Sequence, residues 1–157
     1  MSIGIGYDTH RFVENRKLII GGVEIKNNFG LLGHSDADVL THAIIDSILG
    51  AIAEGDIGKN FPDSDYKFKN ISSLKLLDFT NRILIEKKFR INNIDSVVIL
   101  DKPKISSYID SMKKNISSVL KININALNIK ATTQEGLGFI GKNLGASAQA
   151  ICCVSRS

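Results

Sequence analysis

Gly33-His34-Ser35-Asp36-Ala37-Asp38-Val39-Leu40-Thr41-His42 decides the reading of this 157-residue chain. The ten residues hold two of its three histidines, two aspartates and a serine, and lead into an apolar run at helical spacing. Val39, Ala43 and Leu49 fall near one face, and Leu40, Ile44 and Ile48 near an adjoining one, which predicts a helix over about 36–53. Ser35 reads as its N-cap, with Asp38 three residues on in the capping-box position. Asp38 and Asp46 each lie four residues from His42, so the three side chains are neighbours on the helix surface. Carboxylates flanking an imidazole suit a metal ligand and its supporting groups. A core histidine beside a capping aspartate accounts for the same residues, and the rest of the chain has to decide.

Composition sets the outer limits. With 43% hydrophobic and 23% charged residues the chain reads as an ordinary folded protein, and its length predicts a single domain over 1–157. The net charge of +4 is spread along the chain; it permits anionic small molecules and does not argue for nucleic acid. Met1-Ser2-Ile3-Gly4 carries no basic region followed by an apolar stretch, and no apolar run reaches the length of a membrane span. A cytoplasmic protein without membrane contact is expected. Cys152 and Cys153 are adjacent, and successive strand residues point to opposite faces, so reduced thiols are expected rather than a disulfide.

Upstream of the opening stretch, residues 2–10 alternate as a strand. Ile3, Ile5 and Tyr7 form an apolar face, while Gly4, Gly6, Asp8 and His10 take the other. Asp8 and His10 therefore emerge together, roughly 7 Å apart, beside glycines that leave room for a ligand or for another backbone. Residues 17–20 and 23–26 flank Gly21-Gly22 as a hairpin, and residues 27–30 read as a loop. Downstream, Gly55 is a candidate C-cap and residues 55–65 read as a loop beside the candidate metal helix. Helices are predicted over 72–88 and 106–121, and strands over 94–100, 127–133 and 146–154, with a glycine-rich segment over 134–145. This order predicts an α+β fold, an α/β sandwich with helices packed on one face of a sheet.

Two histidines and a carboxylate at Asp8, His10 and His42 would leave an open fourth position on a tetrahedral metal, as in catalytic zinc sites. The nitrogen and oxygen set also suits manganese or iron, and all of this requires the strand and the helix to converge. Gly136, Gly138 and Gly141 match a dinucleotide-binding glycine pattern, which is rejected because no full helix and no suitably spaced acidic residue follow. Thr132-Thr133-Gln134-Glu135 offers hydroxyls for phosphate oxygens and a carboxylate for magnesium, or is an ordinary strand end. Neither cysteine nor Ser35 has the surroundings of an activated nucleophile.

Taken together the motifs are recognisable: Gly6-Tyr7-Asp8-Thr9-His10-Arg11-Phe12, Gly21-Gly22-Val23, residues 33–39, His42-Ala43, Gly55-Asp56-Ile57-Gly58, Phe61-Pro62-Asp63-Ser64-Asp65, Pro103-Lys104, and residues 130–139 from Lys130-Ala131-Thr132-Thr133 to Phe139. From end to end the chain resembles the 2-C-methyl-D-erythritol 2,4-cyclodiphosphate synthases of the non-mevalonate isoprenoid pathway. The resemblance implies a lyase that cyclises 4-diphosphocytidyl-2-C-methyl-D-erythritol 2-phosphate and releases CMP. It implies a homotrimer of α/β sandwiches, each with a mixed sheet covered by helices, with active sites at subunit interfaces.

Carried over position by position, it assigns a zinc or manganese ion to Asp8, His10 and His42, and a magnesium ion on the substrate diphosphate to Glu135. His34 and Thr133 become the transition-state stabilisers. Substrate contacts are implied at Asp8, Thr9, His10, His34, Ser35, Asp56, Ile57, Gly58, Phe61, Pro62, Asp63, Ser64, Asp65, Thr132, Thr133, Gln134, Glu135, Phe139 and Lys142. A cytidine pocket is implied at Leu100, Asp101, Lys102, Pro103, Lys104 and Ala131. Asp38 and Asp46 are expected to support His42.

Three departures from the family pattern stand out. Asp101 replaces a longer polar residue, often Gln or Glu, and Ser64 replaces the commoner Thr. Lys142 replaces Arg, with Asn143-Leu144 in place of a more acidic pair. Some relatives bind a prenyl diphosphate effector near this last segment, and Lys keeps the charge but not the bidentate geometry, so such binding stays open. The competing readings are a metal- and nucleotide-binding relative without turnover, a nucleotide-binding dehydrogenase, and a fragment of a fusion with the preceding cytidylyltransferase; a stand-alone enzyme is expected.

Overall fold

The computed structural model describes residues 1–62 and 64–157. In chain order the elements are β1 (Ser2–Glu14), β2 (Leu18–Ile20), β3 (Val23–Ile25), β4 (Phe29–Leu31), α1 (Val39–Ala51), α2 (Ile57–Asn60), α3 (Ser73–Glu86), β5 (Phe89–Ile99), α4 (Ile109–Leu120), β6 (Leu127–Thr132), α5 (Gly138–Gly141) and β7 (Gly145–Arg156). The main sheet has the order β4-β1-β7-β5-β6; it is mixed, because β5 and β6 run parallel and the other pairs antiparallel. Helices α1, α3 and α4 cover one face. The β2–β3 hairpin forms a separate two-stranded sheet, as Gly21-Gly22 predicts. No described helix is long and apolar enough to cross a membrane.

Side-chain size dictates where α1 lies. The face of β1 that meets it carries Gly4 and Gly6, and the neighbouring face of β7 carries Ala146, Ala148 and Ala150. A Cβ at Gly4 would stand 2.1 Å from the Ser47 carbonyl oxygen, and one at Gly6 1.9 Å from that of Ala43. Of the two roles open to these glycines, close approach of another backbone is the one they perform. On its far sides α1 buries Leu40, Ile44, Ile48 and Leu49, each such side chain contributing roughly 1.5–3 kcal/mol. The apolar face of β1 is not the core: Ile3, Ile5 and Tyr7 are exposed in the single chain, as is Ile151 on β7.

Several local expectations are corrected. The helix begins at Val39, with Asp38 rather than Ser35 as N-cap. The Asp38 carboxylate accepts from the Thr41 amide (3.0 Å) and hydroxyl (2.8 Å). It also accepts from the amides of Gly21 (2.9 Å) and Gly22 (2.7 Å), so one buried carboxylate both caps the helix and holds the hairpin turn. At the other end, Ala53 takes the left-handed conformation (φ 57°), and the Ala53→Gly50 and Glu54→Leu49 amide–carbonyl bonds close a Schellman motif before Gly55 is reached. The segment read as a loop over 27–30 contributes β4, which pairs with the end of β1. The loop over 55–65 and the glycine-rich segment over 134–145 each hold one turn of helix, α2 and α5. The brevity of α5 accords with rejecting the dinucleotide-binding pattern.

Candidate active site

The strand and the helix converge as a metal site requires. Asp8 Oδ2 lies 2.8 Å from His10 Nε2 and 2.9 Å from His42 Nδ1, and the two ring nitrogens are 3.1 Å apart. One donor atom from each residue falls within 4.8 Å of the others. The outward ring atoms fix which nitrogen faces inward. His10 Nδ1 is 2.7 Å from the Leu32 carbonyl oxygen, which can only accept, so Nδ1 carries the proton and Nε2 presents its lone pair. The single Ser73 hydroxyl proton goes to Asp36, in a very short bond. Ser73 therefore accepts from His42 Nε2–H (2.8 Å), leaving Nδ1 as the ligand atom. These three residues can hold a divalent metal ion, and two imidazoles with one carboxylate fit zinc or manganese.

Electrostatics favour the charged pair in the metal-free site. Burial opposes ionisation of Asp8, but the imidazoles of His10 and His42 beside it hold its carboxyl far below the usual range. Burial likewise opposes charge on His42, and the Asp8 hydrogen bond together with the charges of Asp8, Asp38 and Asp36 raises its pKa.

The groups that brace His42 are not the expected ones. Among the described residues neither the Asp38 nor the Asp46 carboxylate hydrogen-bonds its ring: the Asp38 carboxylate is used by the cap, and Asp46 Oδ1 accepts from the Ile57 amide (2.7 Å). Helical spacing brings those carboxylates near His42 but does not aim them at its ring. Burial pushes the Asp46 carboxyl up, the Ile57 bond acting against it. The bracing comes from Ser73 at the start of α3, with Asp36 behind it, and from Ser35 Oγ at 3.1 Å. In the sequence the Ser72-Ser73 pair reads only as a helix start, so Ser73 is missed. Arg16 is missed too: its guanidinium donates to the Gly33 carbonyl (2.9 Å) and the Ser35 carbonyl (2.8 Å), on either side of His34.

A cavity of about 370 Å³ opens over the three ligands, lined among others by His34, Ser35, Ile57, Gly58, Phe61, Pro62 and Ser64. His34 Nε2 is buried there without a hydrogen-bond partner among the described residues. Asp56 caps α2 by accepting from the Lys59 amide (2.8 Å), and Asp65 caps the short turn after it. The expected contact at Asp63 lies outside the described residues. Thr9 points to the opposite side of β1, where its hydroxyl bonds Tyr7 (2.8 Å) and Ser147 (2.7 Å).

A second cavity, of about 180 Å³, is lined by Leu100, Asp101, Pro103, Lys104, Ile105, Ser106, Ala131, Thr132 and Thr133. It collects the residues expected around cytidine except Lys102, and within one chain the two cavities share no lining residue among those described. Thr133 Oγ1 donates to Glu135 Oε1 (2.5 Å) beside this second cavity, while Gln134 and Phe139 are exposed on the same segment. Lys142 follows as the C-cap of α5.

The YgbB family profile matches residues 1–155. A 2-C-methyl-D-erythritol 2,4-cyclodiphosphate synthase of Clostridium botulinum (strain Eklund 17B) is 63% identical over 154 residues, covering 98% of both chains. The synthase of Clostridium acetobutylicum is 63% identical over 152 residues, covering 97% of this chain and 98% of the relative. Among solved structures, the IspF–CDP complex of Plasmodium falciparum superposes with a TM-score of 0.87 at 37% identity, covering 99% of this chain and 96% of that one. The bifunctional IspDF of Campylobacter jejuni gives 0.96 at 41% identity; 99% of this chain is covered, and the match spans 42% of that longer chain. With residues 1–155 matched by the family profile and relatives 63% identical over nearly the whole length, the chain belongs to the YgbB family, alongside the 2-C-methyl-D-erythritol 2,4-cyclodiphosphate synthases.

Proposed function

We propose that the chain is a metal-dependent phosphorus–oxygen lyase of isoprenoid biosynthesis, a 2-C-methyl-D-erythritol 2,4-cyclodiphosphate synthase. It takes 4-diphosphocytidyl-2-C-methyl-D-erythritol 2-phosphate, forms a bond between a 2-phosphate oxygen and the β-phosphorus, and breaks the bridge to the α-phosphate. CMP departs with the electron pair. The nucleophile is already anionic, so the protein supplies position and charge stabilisation rather than a strong base. The observation that carries the reading is the convergence of Asp8, His10 and His42, ring nitrogens facing inward, beside a His34 Nε2 that is buried without a partner among the described residues.

The roles divide accordingly. Zinc or manganese at Asp8, His10 and His42, and magnesium at Glu135, supply Lewis-acid polarisation and charge neutralisation when bound. His34 and Thr133 donate hydrogen bonds to the phosphoryl oxygens as charge builds. Ser35, Asp56 and Gly58 meet the methylerythritol end, and Phe61, Pro62, Ser64 and Asp65 contact the substrate beside it. Leu100 to Lys104 and Ala131 receive the cytidine, with Lys104 toward phosphate.

A homotrimer with shared sites is part of the reading. The separateness of the two cavities supports it, because one copy's metal cavity needs a neighbour's cytidine cavity. The exposed Ile3, Ile5, Tyr7 and Ile151 on one sheet face offer an apolar contact surface. The unpaired thiols Cys152 and Cys153 accord with a cytoplasmic location.

The test is CMP release from the authentic substrate with added divalent metal. Wild type is expected to turn over, and His42→Ala to lose both metal and activity. Metal and CDP binding without CMP release would favour the relative without turnover.

A further inference from the structure

We infer that Asp101 is a positioning residue that straps the segment bearing Thr133 and Glu135 to the cytidine cavity, so that seating the nucleotide end and placing the catalytic groups are coupled. The inference rests on the proposed function and deepens it. Asp101 lines the cytidine cavity, yet both of its oxygens turn to the neighbouring segment. Oδ1 accepts from the Gln134 amide (2.8 Å) and Oδ2 from the Gly136 amide (3.1 Å). Between those amides the chain reverses through two successive left-handed residues, Glu135 (φ 52°) and Gly136 (φ 77°). A non-glycine residue rarely adopts this conformation unless its surroundings hold it there. The carboxylate holds it from both sides.

The strap reaches the reacting groups directly. Thr133 Oγ1 donates to Glu135 Oε1 and accepts from the Glu135 amide (3.3 Å), so fixing the reversal fixes both side chains relative to each other. One residue earlier, the Leu100 amide donates to the Thr132 carbonyl (3.0 Å), tying the same two segments at the end of the β5–β6 pair.

The experiment compares wild type, Asp101→Asn and Asp101→Glu as intact trimers. Asn is nearly isosteric but presents an N–H to one of the two amides, so one charge-assisted bond is lost. We expect kcat to fall about tenfold, as loss of such a bond implies, with KM and CDP affinity changed less than about twofold. Amide hydrogen exchange at Gln134 and Gly136 is expected to quicken. Asp101→Glu, which restores two acceptors, recovers part of both signals. In wild type, added CDP slows exchange at these two amides.

Loss of CDP affinity with kcat preserved would make Asp101 a nucleotide ligand and overturn the inference. So would unchanged kcat and exchange in Asp101→Asn. Should Asp101→Asn fail to assemble, wild-type exchange that is indifferent to CDP would still overturn it. A wild type that binds CDP and releases no CMP would instead refute the proposed function, leaving the exchange measurements to judge the strap.

Discussion

Replacing Gly6 by Ala probes the link between packing and chemistry. The added Cβ would meet the Ala43 carbonyl oxygen at 1.9 Å and the Ser47 amide nitrogen at 2.7 Å, both rigid parts of the α1 backbone. Restoring an ordinary contact of 3.4 Å moves the helix roughly 1.5 Å away from the strand. Overpacking of this kind destabilises by about 1–3 kcal/mol, and the rigidity of the backbone on both sides puts Gly6→Ala at the upper end. His42 is carried by the same helix and Asp8 and His10 by the same strand, so the three ligand atoms separate by a similar distance. Metal sites tolerate only about 0.2 Å of misplacement, and we expect zinc affinity to fall at least about 100-fold.

Gly50→Ala is the control. It lies on the same helix, but its added Cβ would find nothing closer than 3.7 Å, and Ala in a helix interior is favoured by about 0.5–1 kcal/mol over Gly. Urea unfolding at fixed protein concentration, and zinc competition against a chromophoric chelator, read out both variants. Gly6→Ala with stability within about 0.5 kcal/mol of wild type and unchanged zinc affinity would refute the packing argument.

Three further outcomes follow from the site. Ser73→Ala removes the acceptor for His42 Nε2–H and the donor to Asp36, and is expected to weaken zinc binding about 10–100-fold by calorimetry, with the fold intact by circular dichroism. Arg16→Lys cannot span the Gly33 and Ser35 carbonyls with one ammonium, so kcat for CMP release should drop about tenfold while zinc affinity holds. The metal-free protein should respond to pH on both sides. The Asp8 contribution, from a lowered carboxyl, is present above its ordinary value of 3.8 and lost as pH falls below it. The His42 contribution, from a raised imidazole, is full below 6.5 and lost as pH rises through its folded value. Urea unfolding at pH 3, 5 and 8 in chelator checks the sign, with greatest stability expected near pH 5 from this pair. Because metal must displace the His42 proton, zinc affinity should climb as pH rises above 6.5.

Much of this was legible in the residues because it rests on periodicity. The two-residue spacing of Asp8 and His10 places them on one face of β1, and Gly21-Gly22 marks its hairpin without help from the rest of the fold. Glycine in the alternating strand signals close approach, although only the structure shows that the α1 backbone fills the gap. Tertiary partners were not legible. Asp38 and Asp46 share the His42 face by spacing, yet each is claimed by amides from elsewhere: Gly21 and Gly22 for one, Ile57 for the other. Ser73 and Arg16 lie 31 and 19 residues from the groups they brace, His42 and Ser35, beyond the reach of any local pattern. Ser35 and Asp38 are both good caps by residue type, and what decides between them is a hairpin turn distant in sequence that Asp38 also holds.

Diffraction from crystals grown with zinc and CDP, recorded at the zinc absorption edge, tests the central claim most directly. The account predicts one strong anomalous peak per chain, bound by Asp8 Oδ2, His10 Nε2 and His42 Nδ1, with CDP in the Leu100–Lys104 cavity of an adjoining copy and its phosphates directed toward that metal. An anomalous peak elsewhere, or a nucleotide seated away from that cavity, would contradict it.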